Sequence, residues 1–264
     1  MKGQYSLLDI RREGGVVHLY FNRPEVHNAF NGEVIEQMIA AFQELADDPD
    51  ARVIVLGGHG KSFCAGADLK WMMSMAMSGA QANGEDAKVL GSLFEVINSS
   101  PKPVIARVHG AVRGGGLGIV AACDIPVATE NVTFAFTEVR LGLAPAVISP
   151  FCIARIGAPA ARELFLTGAK FDAHRAERLS LVHHVAKDEE ALDAHISELA
   201  ANIVKGGPNA LAACKRLAMN VGSMDGAEAF EYTSSMIAGL RGSDEGKEGM
   251  SAFMQRRKPS WCAE

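Results

Sequence analysis

"VHGAVRGGGLGIVAACDIPVA", residues 108–128, decides the fold. A β-branched run ends at His109, three glycines follow at 114–116, and the chain stays apolar through Ala122 before a short run, "IPVAT", at 125–129. A strand, a small-residue turn, a buried helix and a further strand in so few residues mark an α/β unit with parallel pairing. Glycines at the turn mark a place where another group comes close to the backbone.

Working outward, "RVIVLGG" (52–58) is a compact buried strand ending in glycines, and "PKPVIARVHG" (101–110) is the strand that feeds the quoted stretch. "GGVVHLYFNRP" (14–24) reads as the first strand of the chain. After Asn31, an N-cap residue by type, Val34, Ile35, Met38, Ile39, Phe42 and Leu45 recur at helical spacing until "ADDPD" ends the helix. The "SGAQANGEDA" segment (78–87) reads as a mobile excursion. From about residue 190 four helical segments follow, punctuated by Gly and Pro. The division expected is an α/β core over 1–195 and a helical region over 196–264.

Composition narrows the function. The chain has 264 residues, 48% hydrophobic and 22% charged, with a formal charge of −5. That balance excludes a nucleic-acid partner, and "QRRK" (255–258) is too short to reverse it. No apolar run reaches the roughly 18 residues of a membrane span. The first ten residues carry Lys2 and Asp9 without an apolar core, so no secretory leader is expected and the location expected is cytoplasmic. Five cysteines without CxxC spacing read as free thiols, and eight histidines without HExxH specify no metal.

Two segments share a punctuation. "GKSFCAGADLKWM" (60–72) follows one strand, and "HGAVRGGGLGIV" (109–120) follows another. Each puts small residues where a strand gives way to a helix, leaving main-chain N–H groups free to meet a ligand. One such N–H from each loop could converge on a single oxygen, the arrangement that holds a developing oxyanion. The plain alternative is tight turns and close packing. "GGGLG" is neither a dinucleotide fingerprint nor a P-loop, so no nucleotide cofactor is implied.

Taken together, "FNRPEVHNAFN", "GKSFCAGADLKWM", "PVIARVHGAVRGGGLGIVAACDIPVA", "FTEVRLGLAP" and "EGMSAFMQRRKPSW" resemble, in order and spacing, the enoyl-CoA hydratase/isomerase (crotonase) superfamily over essentially the whole chain. "EVRLGLAPAVISPF" and the tail resemble most the bacterial 3-methylglutaconyl-CoA and carboxygeranoyl-CoA hydratases of leucine and acyclic-terpene degradation. The resemblance implies a crotonase spiral of ββα units, a C-terminal helical region that makes a homotrimer or a dimer of trimers, and an acyl-CoA substrate with no metal or redox cofactor. It maps the oxyanion hole onto the N–H groups of Ala67 and Gly115. Of the family's two glutamates it keeps Glu138 and replaces the other by Gly118. For the CoA moiety and the start of the acyl pocket it implies Pro24, Val26, Ala65, Gly66, Asp68, Lys70 and Gly114. Phe253 and Lys258 would join them from the tail, across a subunit boundary.

Hydration needs water at C3 and a proton at C2, jobs that two carboxylates can share. With Glu138 alone, the expectation is concerted hydration, with the space left at Gly118 accommodating a branch near C3. A single base moving a proton between C2 and C4, which is double-bond isomerisation, is the alternative; a non-catalytic acyl-CoA binder is a third. Glu138 could instead pair with Arg140 at the surface. Asp68 reads foremost as a helix cap. Trp71 and the following methionines of "WMMSMAM" could line an acyl pocket or pack in the core. Arg113 or Arg140 could meet a distal carboxylate, although surface ion pairing is the plainer role. His109 as a substitute acid/base is weaker than His109 as a packed strand-end residue, and Cys64 lacks any nucleophile-activating partner in the sequence.

Overall fold

The computed structural model describes residues 5–262; Lys2, part of the stretch read for a leader, lies outside them. Strand β1 (Leu8–Glu13) pairs antiparallel with β2 (Val16–Phe21) through a turn at Gly14. The sequence reading began the strands at 14–24 and missed β1. Its "LDIRRE" ends in three exposed residues, so its inward alternation is too short to stand out. Helix α1 (Gly32–Asp47) follows, and the Asn31 side chain accepts from the Val34 N–H as expected of its N-cap. Then come β3 (Val53–Gly58), α2 (Leu69–Ala76) and α3 (Ala80–Asn98). The expected excursion at 78–87 is therefore mostly helix. The first half of α3 is largely exposed, but the helix is carried by Leu93, Phe94 and Ile97, which are buried at its other end.

Two short ββα turns come next. Strand β4 (Val104–Val108), β5 (Ala111–Arg113) and α4 (Gly115–Ala122) form the first. Strand β6 (Ile125–Thr129), β7 (Thr133–Ala135) and α5 (Ser149–Thr167) form the second, with a 3-10 turn at Glu138–Leu141 between strand and helix. Helix α5 breaks at Gly157, φ 72°. Strand β8 (Phe171–Asp172), α6 (Ala173–Arg178) and β9 (His184–Ala186) complete the core. Four helices, α7 (Glu189–Ile203), α8 (Pro208–Asn220), α9 (Gly226–Gly242) and α10 (Asp244–Met254), end the chain as the sequence indicated.

Each turn of the spiral gives one strand to a six-stranded sheet, order β1-β2-β3-β4-β6-β9, parallel from β2 onward. The shorter pieces stack beside it: bridges Phe30–Ala67 and Cys64–Val112 continue into the β5-β7-β8 sheet. The middle of the large sheet is covered on both faces, which is why β3 reads as an unbroken apolar run. Ile54, Leu56, Val104 and Ala106 face the main core; Val53, Val55, Ile105 and Val127 face Leu192, Ile196 and Ala200 of α7. The boundary expected at 195/196 thus falls inside a helix that belongs to the core, because α7 closes the sheet's second face.

Helix α8 is tied down by Lys215, whose ammonium donates to Asp124 at 2.9 Å and is nearly buried. By contrast α9 buries no residue within the chain.

Replacing Asn31 with Ala removes the side-chain acceptor that caps α1. A loss of about 1 kcal/mol in urea denaturation, at unchanged m-value, is expected.

Candidate active site

Strands β3 and β4 run parallel and side by side, so the loops that leave their C-terminal ends meet. The loop after β3 is pinned by neighbours along its length. Phe63 N donates to His109 O, Cys64 N to Ala111 O, Ala65 N to His27 O and Asp68 N to Phe30 O. Asn28, buried and left-handed at φ 56°, braces it from the other side. Its amide donates to His59 O and Ser62 O, both at 2.8 Å, and accepts from Arg23 N. The resemblance places Asn28 at the end of a segment, 24–28, expected near the CoA tail, and its bracing role is signalled only by residue type, since Asn is among the few residues at ease in that conformation.

The two loops touch main chain to main chain. Gly66 has φ 89°, and a Cβ there would stand 2.7 Å from Arg113 O and 3.3 Å from Gly115 N. Gly115 opens α4, where first-turn N–H groups have no partner in the helix. A Cβ on Gly115 would collide with Phe30 Cζ at 2.5 Å. Beside Ala67, Gly66 N donates to Cys64 Sγ and Asp68 N to Phe30 O, while among the described residues the Ala67 N–H meets no main-chain acceptor. Ala67 and Gly115 both line the cleft at the place where the two loops touch.

Glu138 begins the 3-10 turn after β7 and is half-buried. A Cβ on Gly114 would lie 3.2 Å from Glu138 Oε1, which places the carboxyl against the second loop. Its Oε2 is buried without a partner, and burial pushes its pKa upward. The expected alternative, pairing with Arg140, is not what occurs: Arg140 donates to Gly168 O at 3.3–3.4 Å. A buried carboxyl with a raised pKa in a cleft is suited to exchange protons near neutral pH.

These groups line a cleft of about 450 Å³, with Ala65, Gly66, Ala67, Gly114, Gly115 and Glu138 at its base. Its walls are mostly apolar, including Met72, Leu90, Val147 and Ile148, and its rim exposes Leu69, Leu141 and Leu143. Of the "WMMSMAM" run only Met72 lines it; Trp71 packs on the core and Met73 and Met77 are exposed.

Gly118 does not open space. A Cβ there would stand 2.3 Å from Ile148 Cγ2 and 2.9 Å from Phe94 Cε1. The room that a branched acyl group was expected to use is filled by Ile148, which is 3% exposed and forms part of the cleft wall. Ile148 was missed because no local pattern links it to a glycine thirty residues earlier.

Other expectations resolve as follows. Asp68 caps α2, accepting from Lys70 N and Trp71 N, and Lys70 itself is exposed outside the cleft. Pro24 and Val26 lie in a 3-10 turn against the loop, Pro24 packing on Gly60, and neither lines the cleft. Phe253 and Lys258 are exposed and line no part of it in the single chain. Arg113 makes no surface ion pair among the described residues; it donates to Val112 O and Thr133 Oγ1. Cys64 is fully buried, and burial pushes its thiol up to about 12, so it is no nucleophile. All five cysteines are free and, among the described residues, no three metal-ligating side chains gather.

The family described as enoyl-CoA hydratase/isomerase matches residues 11–264. A short-chain-enoyl-CoA hydratase of Clostridium acetobutylicum is 33% identical over 94% of this chain and 95% of its own. A peroxisomal Delta(3,5)-Delta(2,4)-dienoyl-CoA isomerase of Arabidopsis thaliana is 30% identical over 98% of each chain. The crystal structure of an enoyl-CoA hydratase from Shewanella pealeana superposes with TM-score 0.93 at 36% identity, covering 98% of this chain and 97% of that one.

Two stability measurements check the geometry. Gly118→Ala should cost roughly 1–3 kcal/mol by overpacking, and Ile148→Ala in the same chain should recover part of it, a coupling read from a double-mutant cycle. Glu138→Gln should raise Tm at pH 8 and leave it unchanged at pH 4. With its folded pKa raised, the carboxyl is protonated in both states at low pH and costs nothing, and its penalty grows as pH climbs past the ordinary carboxyl range.

Proposed function

The chain belongs to the enoyl-CoA hydratase/isomerase family, and from that premise we propose that it adds water across the C2–C3 bond of an enoyl-CoA with Glu138 as the sole proton-handling group. The observation that carries this reading is the position of Glu138, buried and unpaired at Oε2, against the loop that offers the Gly115 N–H.

The thioester oxygen accepts from Ala67 and Gly115. As water adds to C3, negative charge moves onto that oxygen, where each preorganised donor is worth about 3 kcal/mol. Ionised Glu138 takes one proton from the water while the hydroxyl bonds to C3. The resulting carboxylic acid returns that proton to C2 as the enolate collapses. No redox step or metal enters. Because Ile148 gives the α4 side of the cleft an aliphatic wall, hydroxyl and proton both come from the Glu138 face.

That same aliphatic wall favours a second reading, isomerisation, since one base suffices to carry a proton between C4 and C2. For a carboxylated substrate of the 3-methylglutaconyl-CoA type, Arg140 is the cation to meet the distal carboxylate. It lines the cleft and is exposed, with only long bonds to Gly168 O, whereas Arg113 is spent on β7. Phe230, Ile237, Phe253 and Met254 are exposed on α9 and α10, which supports assembly as a homotrimer or a dimer of trimers. Such assembly would give Phe253 and Lys258 a neighbour's CoA to contact.

Crotonyl-CoA and 3-methylglutaconyl-CoA, followed by loss of conjugated absorbance and by product mass, test the proposal. A gain of one water, reduced by at least about 100-fold in Glu138→Gln, is expected. In D₂O, deuterium at C2 and hydroxyl at C3 should lie on the same face. No mass gain on either thioester, with a 3-enoyl-CoA moving into conjugation, would establish the isomerase instead. The acidic limb of kcat/KM should lie above the ordinary carboxyl range, because the free enzyme must ionise a carboxyl that burial holds protonated.

A further inference from the structure

We propose that His109 is a positioning residue that sets the Ala67 half of the oxyanion hole, through a buried hydrogen-bond relay running from helix α7 to the loop after β3.

His109 directly follows strand β4 and is 4% exposed. Its Nε2 lies 2.9 Å from Gly60 O, at the root of the loop, and its Nδ1 lies 3.4 Å from Arg107 Nη1. An arginine offers only donors, so Nδ1 must accept, and the ring's one proton sits on Nε2 and is donated to Gly60 O. Arg107 is in turn held by α7, donating through Nη2 to Glu189 and Asp193, both at 3.0 Å. Burial and the adjacent Arg107 hold His109 neutral, opposed by the Gly60 bond and the more distant carboxylates of Glu189 and Asp193. A fixed tautomer of a neutral ring is a rigid strut.

What the strut holds matters. The backbone of His109 clamps the same loop a second time, its carbonyl accepting from Phe63 N at 3.0 Å. Gly110 presses on the loop so closely that a Cβ would stand 2.0 Å from Lys61 O. From Gly60 the chain reaches Ala67 without slack, since Phe63, Cys64, Ala65 and Asp68 all spend their N–H groups on neighbouring main chain. The Gly60 bond fixes the root of this tethered segment, and losing it would loosen the segment that carries the Ala67 N–H. His109 lines no part of the cleft, so it acts only through that loop and handles no substrate proton.

The inference rests on the reading that Ala67 and Gly115 receive the thioester oxygen, and its test separates the two. The C=O stretching frequency of bound crotonyl-CoA reports how strongly that oxygen is held. In the unsubstituted protein a downshift relative to free thioester is expected; its absence would refute the oxyanion-hole reading itself. With that downshift in hand, His109→Leu should lose much of it and lower kcat by about tenfold or more, with KM changed by less than about threefold. His109→Gln keeps an acceptor for Arg107 and a donor for Gly60, and should restore both the frequency and kcat to within about threefold. If His109→Leu does not accumulate folded, His109→Asn, whose amide stops short of Gly60, takes its place. Variants that lower Tm while leaving the carbonyl frequency and kcat unchanged, or a Gln variant no better than Leu, would overturn the proposal.

Discussion

The site depends on two main chains lying closer than a side chain would permit. Gly66 sits where a Cβ would be 2.7 Å from Arg113 O, and Gly115 where one would be 2.5 Å from Phe30. Ala67 and Gly115 both line the cleft beside that contact. The rest of the spiral can be understood as the means of enforcing it. Parallel β3 and β4 deliver both loops to the same end of the sheet. Phe30 backs one of them, and Asn28 and His109 brace the other at His59, Gly60 and Ser62. Main-chain N–H groups held this firmly need no reorganisation if charge appears on an oxygen beside them.

Much of this was legible in the sequence, and for a physical reason. A strand buried on both faces is largely apolar, so β3, and β4 apart from Arg107, could be read directly. A backbone that must approach another backbone shows as glycine, so both loops could be read as well. The first strand could not, because half of "LDIRRE" faces solvent at the sheet edge. Nor could α3, whose opening "AQANGED" carries no apolar stripe and is helical because its far end is anchored.

What stayed hidden at the site is what depends on distant pairs. Asn28 bonds across more than thirty residues, and the Arg107–Asp193 contact spans 86. Arg113 and His109, which flank the glycines in sequence, spend side-chain hydrogen bonds on β7 and Gly60, although Arg113 also lines the cleft. Proximity in the chain suggested a role in binding or proton transfer. Hydrogen-bond geometry assigns them to holding the frame.

Gly118 shows the same point most sharply. Read alone, a glycine in place of a carboxylate looks like a deletion that leaves either a cavity or an impaired enzyme. The structure contains neither a void nor a spare polar group there, because Ile148 fills the volume. Gly118 and Ile148 are thus one feature, a small residue and a large one in mutual contact, and neither can be changed alone without clash or cavity. A carboxylate could not simply be restored at 118, since its own Cβ would meet Ile148 first. The cleft is therefore committed to one carboxyl, Glu138, with the aliphatic Ile148 also in its lining. An ionisable group with its Oε2 buried and unpaired gains most from a partner that arrives with the substrate, whether an added water or a carbon-bound proton.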